Sequence, residues 1–201
     1  MGCVTTLRFH MIHIAGVDEA GRGALAGPVV AAAVILDSSL AVDGLKDSKV
    51  LSSKQREAAF QIIMSSACGV SIGIVSHREI DRINILQATM LAMQKAILRL
   101  KVRPDQILID GNRTPKMSDY LMSAIIGGDG TVPAISAASI VAKVIRDRLM
   151  IRYAGRYPDY GFELHKGYGT DHHCQAIFKL GRCSIHRKTF NVSRQTSLFG
   201  A

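Results

Sequence analysis

Two adjacent carboxylates, Asp18 and Glu19, close an apolar run that begins near Ile14, and Gly21-Arg22-Gly23 follows almost at once. Neighbouring anions repel, and in apolar surroundings they are costly to desolvate unless a cation joins them. Unpaired at a strand end, they suggest a divalent-metal site built from oxygen ligands. Side chains alternate along a strand, so the pair can converge on one point only if the backbone bends there, a bend that Gly21 and Gly23 permit. Two further carboxylates stand in comparable places. Asp110 follows Ile107-Leu108-Ile109, and Asp129 sits inside Gly127-Gly128-Asp129-Gly130. By default an isolated acidic pair is a solvated turn, and Gly-Asp-Gly is simply a turn.

The other chemistry-bearing groups are weaker. His172, His173, Cys174, Cys183 and His186 include the commonest zinc ligands, yet their spacing fits no compact ligand pattern. Lys46, Lys49, Lys143 and Arg146 either face phosphate or lie on solvated faces, and Lys143 is placed to pair with Asp147 one helical turn on.

The elements that must position these groups alternate between strand and helix. Apolar runs predict strands near 12–18, 29–36, 68–76, 106–110 and 121–126; the second, uninterrupted, reads as buried on both faces. A helix is expected from about Ser52 or Ser53 to Ser66, although Ser53 with Arg56 makes no full capping box. A short helix near 79–82 precedes a longer one capped by Asn84, whose Leu86, Met90, Met93, Ile97 and Leu100 form a core stripe. A helix over 133–153 carries Ala134, Ala137 and Ala138, small enough for close approach to a sheet, and another ends near Leu180. This alternation indicates an α/β domain, in which functional groups gather at the carboxyl ends of strands.

With 201 residues and 48% hydrophobic content, the chain supports one substantial core and is not generally disordered. No stretch reads as a membrane span or a secretory signal, and no cysteine pair has Cys-x-x-Cys spacing, which points to free thiols in a reducing cytoplasm. Met1-Gly2-Cys3-Val4-Thr5-Thr6 fits only the loose myristoylation pattern, and Met11 is an equally good start. The net charge of +9, from 25 basic against 16 acidic residues, favours polyanionic partners. After Asp171 the chain is purely basic, with Lys179, Arg182, Arg187, Lys188 and Arg194. Aromatic residues make up only 5%, which argues against a base-stacking platform for single strands and for a protein that reads a duplex backbone.

Taken together, GVDEAGRGALAGPVVAAAVIL, LKDSKVLS, INILQATMLAMQKAI, ILIDGNR, GGDGTVPAISAASIVAKVIRD, HKGYGT and HRKTF resemble bacterial ribonuclease HII, over roughly residues 12–190. The resemblance implies a ribonuclease H-like α/β fold, a mixed five-stranded sheet flanked by helices with a helical C-terminal subdomain. It divides the chain into an N-terminal extension (1–11), a catalytic domain (12–155), the C-terminal subdomain (156–194) and a tail (195–201). The family's four acidic positions fall on Asp18, Glu19, Asp110 and Asp129, its Gly-Arg-Gly element on Gly21, Arg22 and Gly23, and its tyrosine on Tyr168. In the family the glycines and arginine contact nucleotides around a 2′-hydroxyl, while the tyrosine packs on the neighbouring deoxyribose. The implied activity is cleavage of RNA in RNA–DNA hybrids and nicking of DNA 5′ to embedded ribonucleotides.

In-line hydrolysis of a phosphodiester suits two Mg²⁺ or Mn²⁺ ions about 3.5–4 Å apart, held by Asp18, Glu19 and Asp110 with Asp129 as fourth ligand or organiser of the leaving side. The products would be a 3′-hydroxyl and a 5′-phosphate. Clustered acids without metal should titrate high, so activity should fall in acid. A monomer is expected. The tail Gln195-Thr196-Ser197-Leu198-Phe199 resembles peptides that bind the sliding clamp through positions such as Gln195, Leu198 and Phe199, although Thr196 departs from that pattern. A non-catalytic basic duplex-binding module would explain the charge but not the carboxylates at strand ends. A metal-dependent phosphatase of small substrates would not need the basic tail.

Overall fold

The computed structural model describes residues 12–37 and 51–192. Expectations for the N-terminal extension and Met11, for Lys46 and Lys49, and for the tail with Gln195, Leu198 and Phe199 lie outside the described residues. Five strands form one mixed sheet: β1 (Ile14–Ala20), β2 (Val29–Ile35), β3 (Gly69–Val75), β4 (Gln106–Asp110) and β5 (Met122–Ile125), in the order β3-β2-β1-β4-β5. β2 is antiparallel to β1 and β3, whereas β4 is parallel to both β1 and β5. All seven residues of β2 are buried, as its unbroken apolar sequence requires. β1 starts two residues later than its apolar run suggests and continues through Glu19 to Ala20.

One face of the sheet packs on α2 (His77–Leu98), with Ala15 and Val17 against Ala92, Met93, Ala96 and Ile97. The opposite face packs on α1 (Ser53–Ser66) and α4 (Pro133–Arg156), with Ala20, Ala32 and Val34 against Phe60, Ile63, Ala137 and Val141. Two glycines allow this closeness. A Cβ on Gly16 would stand 2.0 Å from the Ala134 carbonyl carbon, and one on Gly73 would stand 1.9 Å from the Ala92 oxygen.

The helix starts correct one expectation and support another. Ser52, not Ser53, caps α1, and Gln55 completes a capping box by accepting from the Ser52 backbone N–H. Within α2 the backbone breaks at Asn84 (φ 66°), whose side chain accepts from Gln87 N–H and starts the second piece. Of the expected stripe, Met93 and Ile97 are in the core and Met90 and Leu100 are at its edge. Leu86 instead lines a groove shared with Arg82 and Arg113. Asp129 belongs to a one-turn helix, α3 (Gly128–Thr131), rather than a simple turn. α4 continues three residues beyond Tyr153. It leads to α5 (Phe162–His165) and α6 (Asp171–Leu180), which share a small core of Tyr160, Phe162, Ile177 and Ile185 with Leu25 and Met150.

Candidate active site

β1 and β4 part company at the acids. Their parallel pairing ends at Val17 opposite Ile109, while β1 keeps its antiparallel register with β2 through Ala20. The expected bend at Asp18-Glu19 is therefore absent: Glu19 remains paired with Ala31, and the turn begins after Ala20. The side chains meet because β4 stops and leaves that edge of β1 open, not because the backbone folds. In that opening lies a cavity of about 500 Å³ lined by Asp18, Glu19, Gly21, Arg22, Gly23, Asp110, Asp129 and Tyr168. All eight residues that the family resemblance assigns to a site thus line one cavity. Arg56, Ser139 and Lys143 also line it. Ser136, Ser139, Lys143 and Arg146 recur at helical spacing along the otherwise apolar first part of α4, residues 133–146, a polar stripe that could have marked them.

Asp18 is buried, and burial pushes its carboxyl well above the usual carboxylate range. The charges of Glu19 and Asp110 push the same way, against a Ser139 hydroxyl hydrogen bond and the Glu19 N–H, which donates to Asp18 Oδ1 at 2.7 Å. Glu19 is also raised by burial, opposed by Arg22. Arg22 Nη1 lies 3.2 Å from Glu19 Oε1, so the acidic pair is not without a cation, contrary to the expectation from sequence. Its side chain is half exposed, so this pair offsets little of the repulsion deeper in. The Asp129 N–H donates to Asp110 Oδ1 at 3.3 Å, and the Ser136 hydroxyl donates to the Asp129 carbonyl, which ties α3 to the end of β4.

The turn after β1 rests on two buried guanidiniums. Arg146 is 0% exposed and donates to the carbonyls of Pro28, Ala26 and Lys166 at 3.0–3.2 Å. It faces neither phosphate nor solvent, which corrects both readings of it. Arg187 donates to the carbonyls of Gly21, Arg22 and Gly27. Arg182 likewise donates to the carbonyls of Arg187, Lys188 and Phe190. Two members of the basic C-terminal series are thus internal donors. Gly21 (φ 94°) adopts the left-handed conformation this turn needs. Lys143 pairs with Asp147 at 2.8 Å, as one of its readings expects, and also lines the cavity.

Tyr168 lies beneath Lys143 Nζ and Arg146 Cζ, 5.5 and 5.0 Å from its ring centroid. Its loop is held from behind by histidines. His173 Nδ1 bonds the Tyr168 carbonyl at 2.9 Å, His186 Nδ1 accepts from the Cys183 N–H at 2.9 Å, and the two Nε2 atoms are 3.0 Å apart. One consistent proton arrangement makes His173 Nε2 the acceptor and His186 Nε2–H the donor. Every ring nitrogen of the pair is then used, which leaves no lone pair for zinc. Burial lowers both to a pKa of about 4 and keeps them neutral.

Among the described residues no three His, Cys, Asp or Glu side chains stand in a closed ligating arrangement. The fit to a hard divalent cation rests on donor chemistry: buried, mutually repelling carboxylates around a space large enough for an ion that retains several waters. A mixed sheet in this strand order, with acids clustered where two parallel strands end, is the arrangement of a ribonuclease H-like fold. The chain belongs to the ribonuclease HII family, whose model matches residues 15–193. Ribonuclease HII of Coxiella burnetii (strain RSA 493 / Nine Mile phase I) is 54% identical over 186 residues, 92% of each chain. That of Shewanella loihica is 55% identical, covering 90% of this chain and 88% of its own. Among solved structures, the ribonuclease H2 from Pyrococcus horikoshii OT3 aligns with TM-score 0.75 and 28% identity, covering 91% and 96% of the two chains. The PCNA:RNase HII complex from Archaeoglobus fulgidus contains a chain with TM-score 0.77 and 27% identity, at 92% and 98% coverage. No helix among the described residues is long and apolar enough to cross a membrane.

Proposed function

We propose that this chain is an endonuclease that hydrolyses the RNA strand of RNA–DNA hybrids and nicks duplex DNA on the 5′ side of embedded ribonucleotides, leaving 3′-hydroxyl and 5′-phosphate ends. Asp18, Glu19, Asp110 and Asp129 would hold one or two Mg²⁺ or Mn²⁺ ions, which supply an activated water and relieve charge on the leaving oxygen. Asp18 is oriented for this by the Ser139 hydroxyl and the Glu19 N–H. Backbone amides near Gly21 and Gly23 would approach a ribose, with open space where a Gly23 side chain would stand, and the 2′-hydroxyl is the group that separates RNA from DNA locally. Tyr168 offers its ring to the neighbouring sugar, while Lys143 and Arg56 face the phosphates.

The observation that carries this reading is the convergence of four separated sequence segments on one acid-lined cavity in a member of this family. The test is a nicking assay on a duplex bearing one ribonucleotide, with an all-DNA duplex as control, with and without Mg²⁺ or Mn²⁺. Cleavage 5′ to the ribonucleotide that needs metal and disappears in Asp110→Asn is expected. An Asp110→Asn protein that nicks as fast as its parent would sink the proposal. The tail, with Gln195, Leu198 and Phe199, is proposed to engage a sliding clamp; its sequence and the archaeal relative solved with PCNA support the idea.

A further inference from the structure

Arg187 follows Gly21 by 166 positions, yet its side chain lies directly under the turn that Gly21 opens. It is 1% exposed. Its Nη2 donates to the Gly21 carbonyl at 2.6 Å, its Nη1 to the Arg22 carbonyl at 2.8 Å and its Nε to the Gly27 carbonyl at 3.1 Å. Burial drives its pKa down to about 9, with the neighbouring Arg146 charge adding to the effect. A buried cation hydrogen-bonded to carbonyls rather than to a carboxylate is a poor way to fill space, and an apolar side chain would do that at lower cost. What the guanidinium adds is a rigid planar fork that fixes several carbonyls at once.

A peptide unit is planar and trans, so its N–H points opposite to its C=O. Holding the Gly21 carbonyl therefore directs the Arg22 N–H away from Arg187, and holding the Arg22 carbonyl does the same for the Gly23 N–H. Arg22 and Gly23 both line the acid cavity. We infer that Arg187 is a positioning residue for ribose recognition, aiming the amide hydrogens of Arg22 and Gly23 at the 2′-hydroxyl by tying down the carbonyls of the same two peptide units. This rests on the proposed reading of the glycine turn as the ribose contact.

Apart from the Gly27 carbonyl, the rest of the turn does not depend on that side chain. Backbone hydrogen bonds run from Leu25 N–H to the Gly167 carbonyl, from Gly27 N–H to the Ile185 carbonyl and from Arg187 N–H to the Leu25 carbonyl, and Arg146 holds Ala26 and Pro28. Removing the Arg187 guanidinium thus frees residues 21 and 22 while residues 25–28 stay attached.

The experiment measures binding of the full chain, with Ca²⁺ in place of Mg²⁺ or Mn²⁺ to prevent turnover, to two duplexes that differ by a single 2′-hydroxyl. In Arg187→Met and Arg187→Lys the preference for the ribose-bearing duplex should fall by about tenfold, the value of roughly one hydrogen bond, while affinity for the all-DNA duplex stays within about threefold. A merely structural role would weaken both duplexes alike. A parent with no preference overturns the ribose reading and this inference with it; variants that keep the parent's preference overturn this inference alone. The parent also decides the matter should the variants not fold. Its Arg187 Nε–H should exchange with solvent far more slowly than that of Arg22, and equal rates would refute the anchoring.

Discussion

One methyl group at position 21 separates a built recognition turn from a passive one. In Gly21→Ala the new Cβ would stand 1.9 Å from Arg146 Nε and 2.4 Å from its Cδ, where ordinary contact begins at 3.4 Å. Arg146 cannot yield, being fully buried and held by three carbonyls. The turn must therefore move toward the cavity by about 1.5 Å, and alanine at φ 94° adds about 1–2 kcal/mol of backbone strain. We expect a stability loss of about 2–4 kcal/mol, seen as a melting temperature lower by roughly 5–15 °C in a chain of this size. A displacement of this order at a reacting centre should lower kcat/KM on a ribonucleotide-bearing duplex by about 100-fold. Gly23→Ala is the matched control, because its Cβ would meet nothing within 4 Å. Its stability should stay within about 0.5 kcal/mol of the parent, while cleavage falls because the methyl intrudes where an amide must approach the sugar. Thermal melts and nicking rates on both variants make the check. A Gly21→Ala protein with the parent's melting temperature and rate would show that Arg146 is no fixed wall.

Further outcomes follow from the same geometry. Asp18 holds its proton more tightly folded than unfolded, so its stabilising contribution is present in acid and is lost as pH rises through its raised pKa. In chelator, Asp18→Asn should therefore melt progressively higher than the parent as pH rises toward neutral, and Mn²⁺ should narrow the gap by stabilising the parent alone; equal melting at every pH would contradict this. The histidine pair acts in the opposite sense. Its members drop from 6.5 to about 4 on folding, so stability is full above 6.5 and declines by up to about 3 kcal/mol for each imidazole as pH falls to 4. Melts across that window, with imidazole NMR shifts assigned to His173 and His186, test this. Deleting residues 195–201 should abolish binding to a sliding clamp without changing nicking, and unchanged clamp affinity would reject the role given to the tail.

The strands were legible because apolar runs between glycine, proline and charge leave few alternatives, and β2 is the clearest case. Asp18, Glu19 and Asp110 were legible because buried strands rarely end in carboxylates without a use for them. Arg146 and Arg187 were not. A guanidinium is read as solvated by default, and nothing local shows that its partners will be carbonyls more than a hundred residues away. The true way in which Asp18 and Glu19 meet was equally hidden, since it depends on where β4 stops beside β1, a matter of register between distant segments. The Ser52–Gln55 box was present in the sequence, but the equally plausible Ser53 start obscured it.

The anchor proposed for the recognition turn follows that turn by 166 positions, so the ribosome releases the turn long before its anchor. A nascent polypeptide thus carries Asp18 and Glu19 long before the guanidinium that ties down the carbonyls of Gly21 and Arg22 has been added.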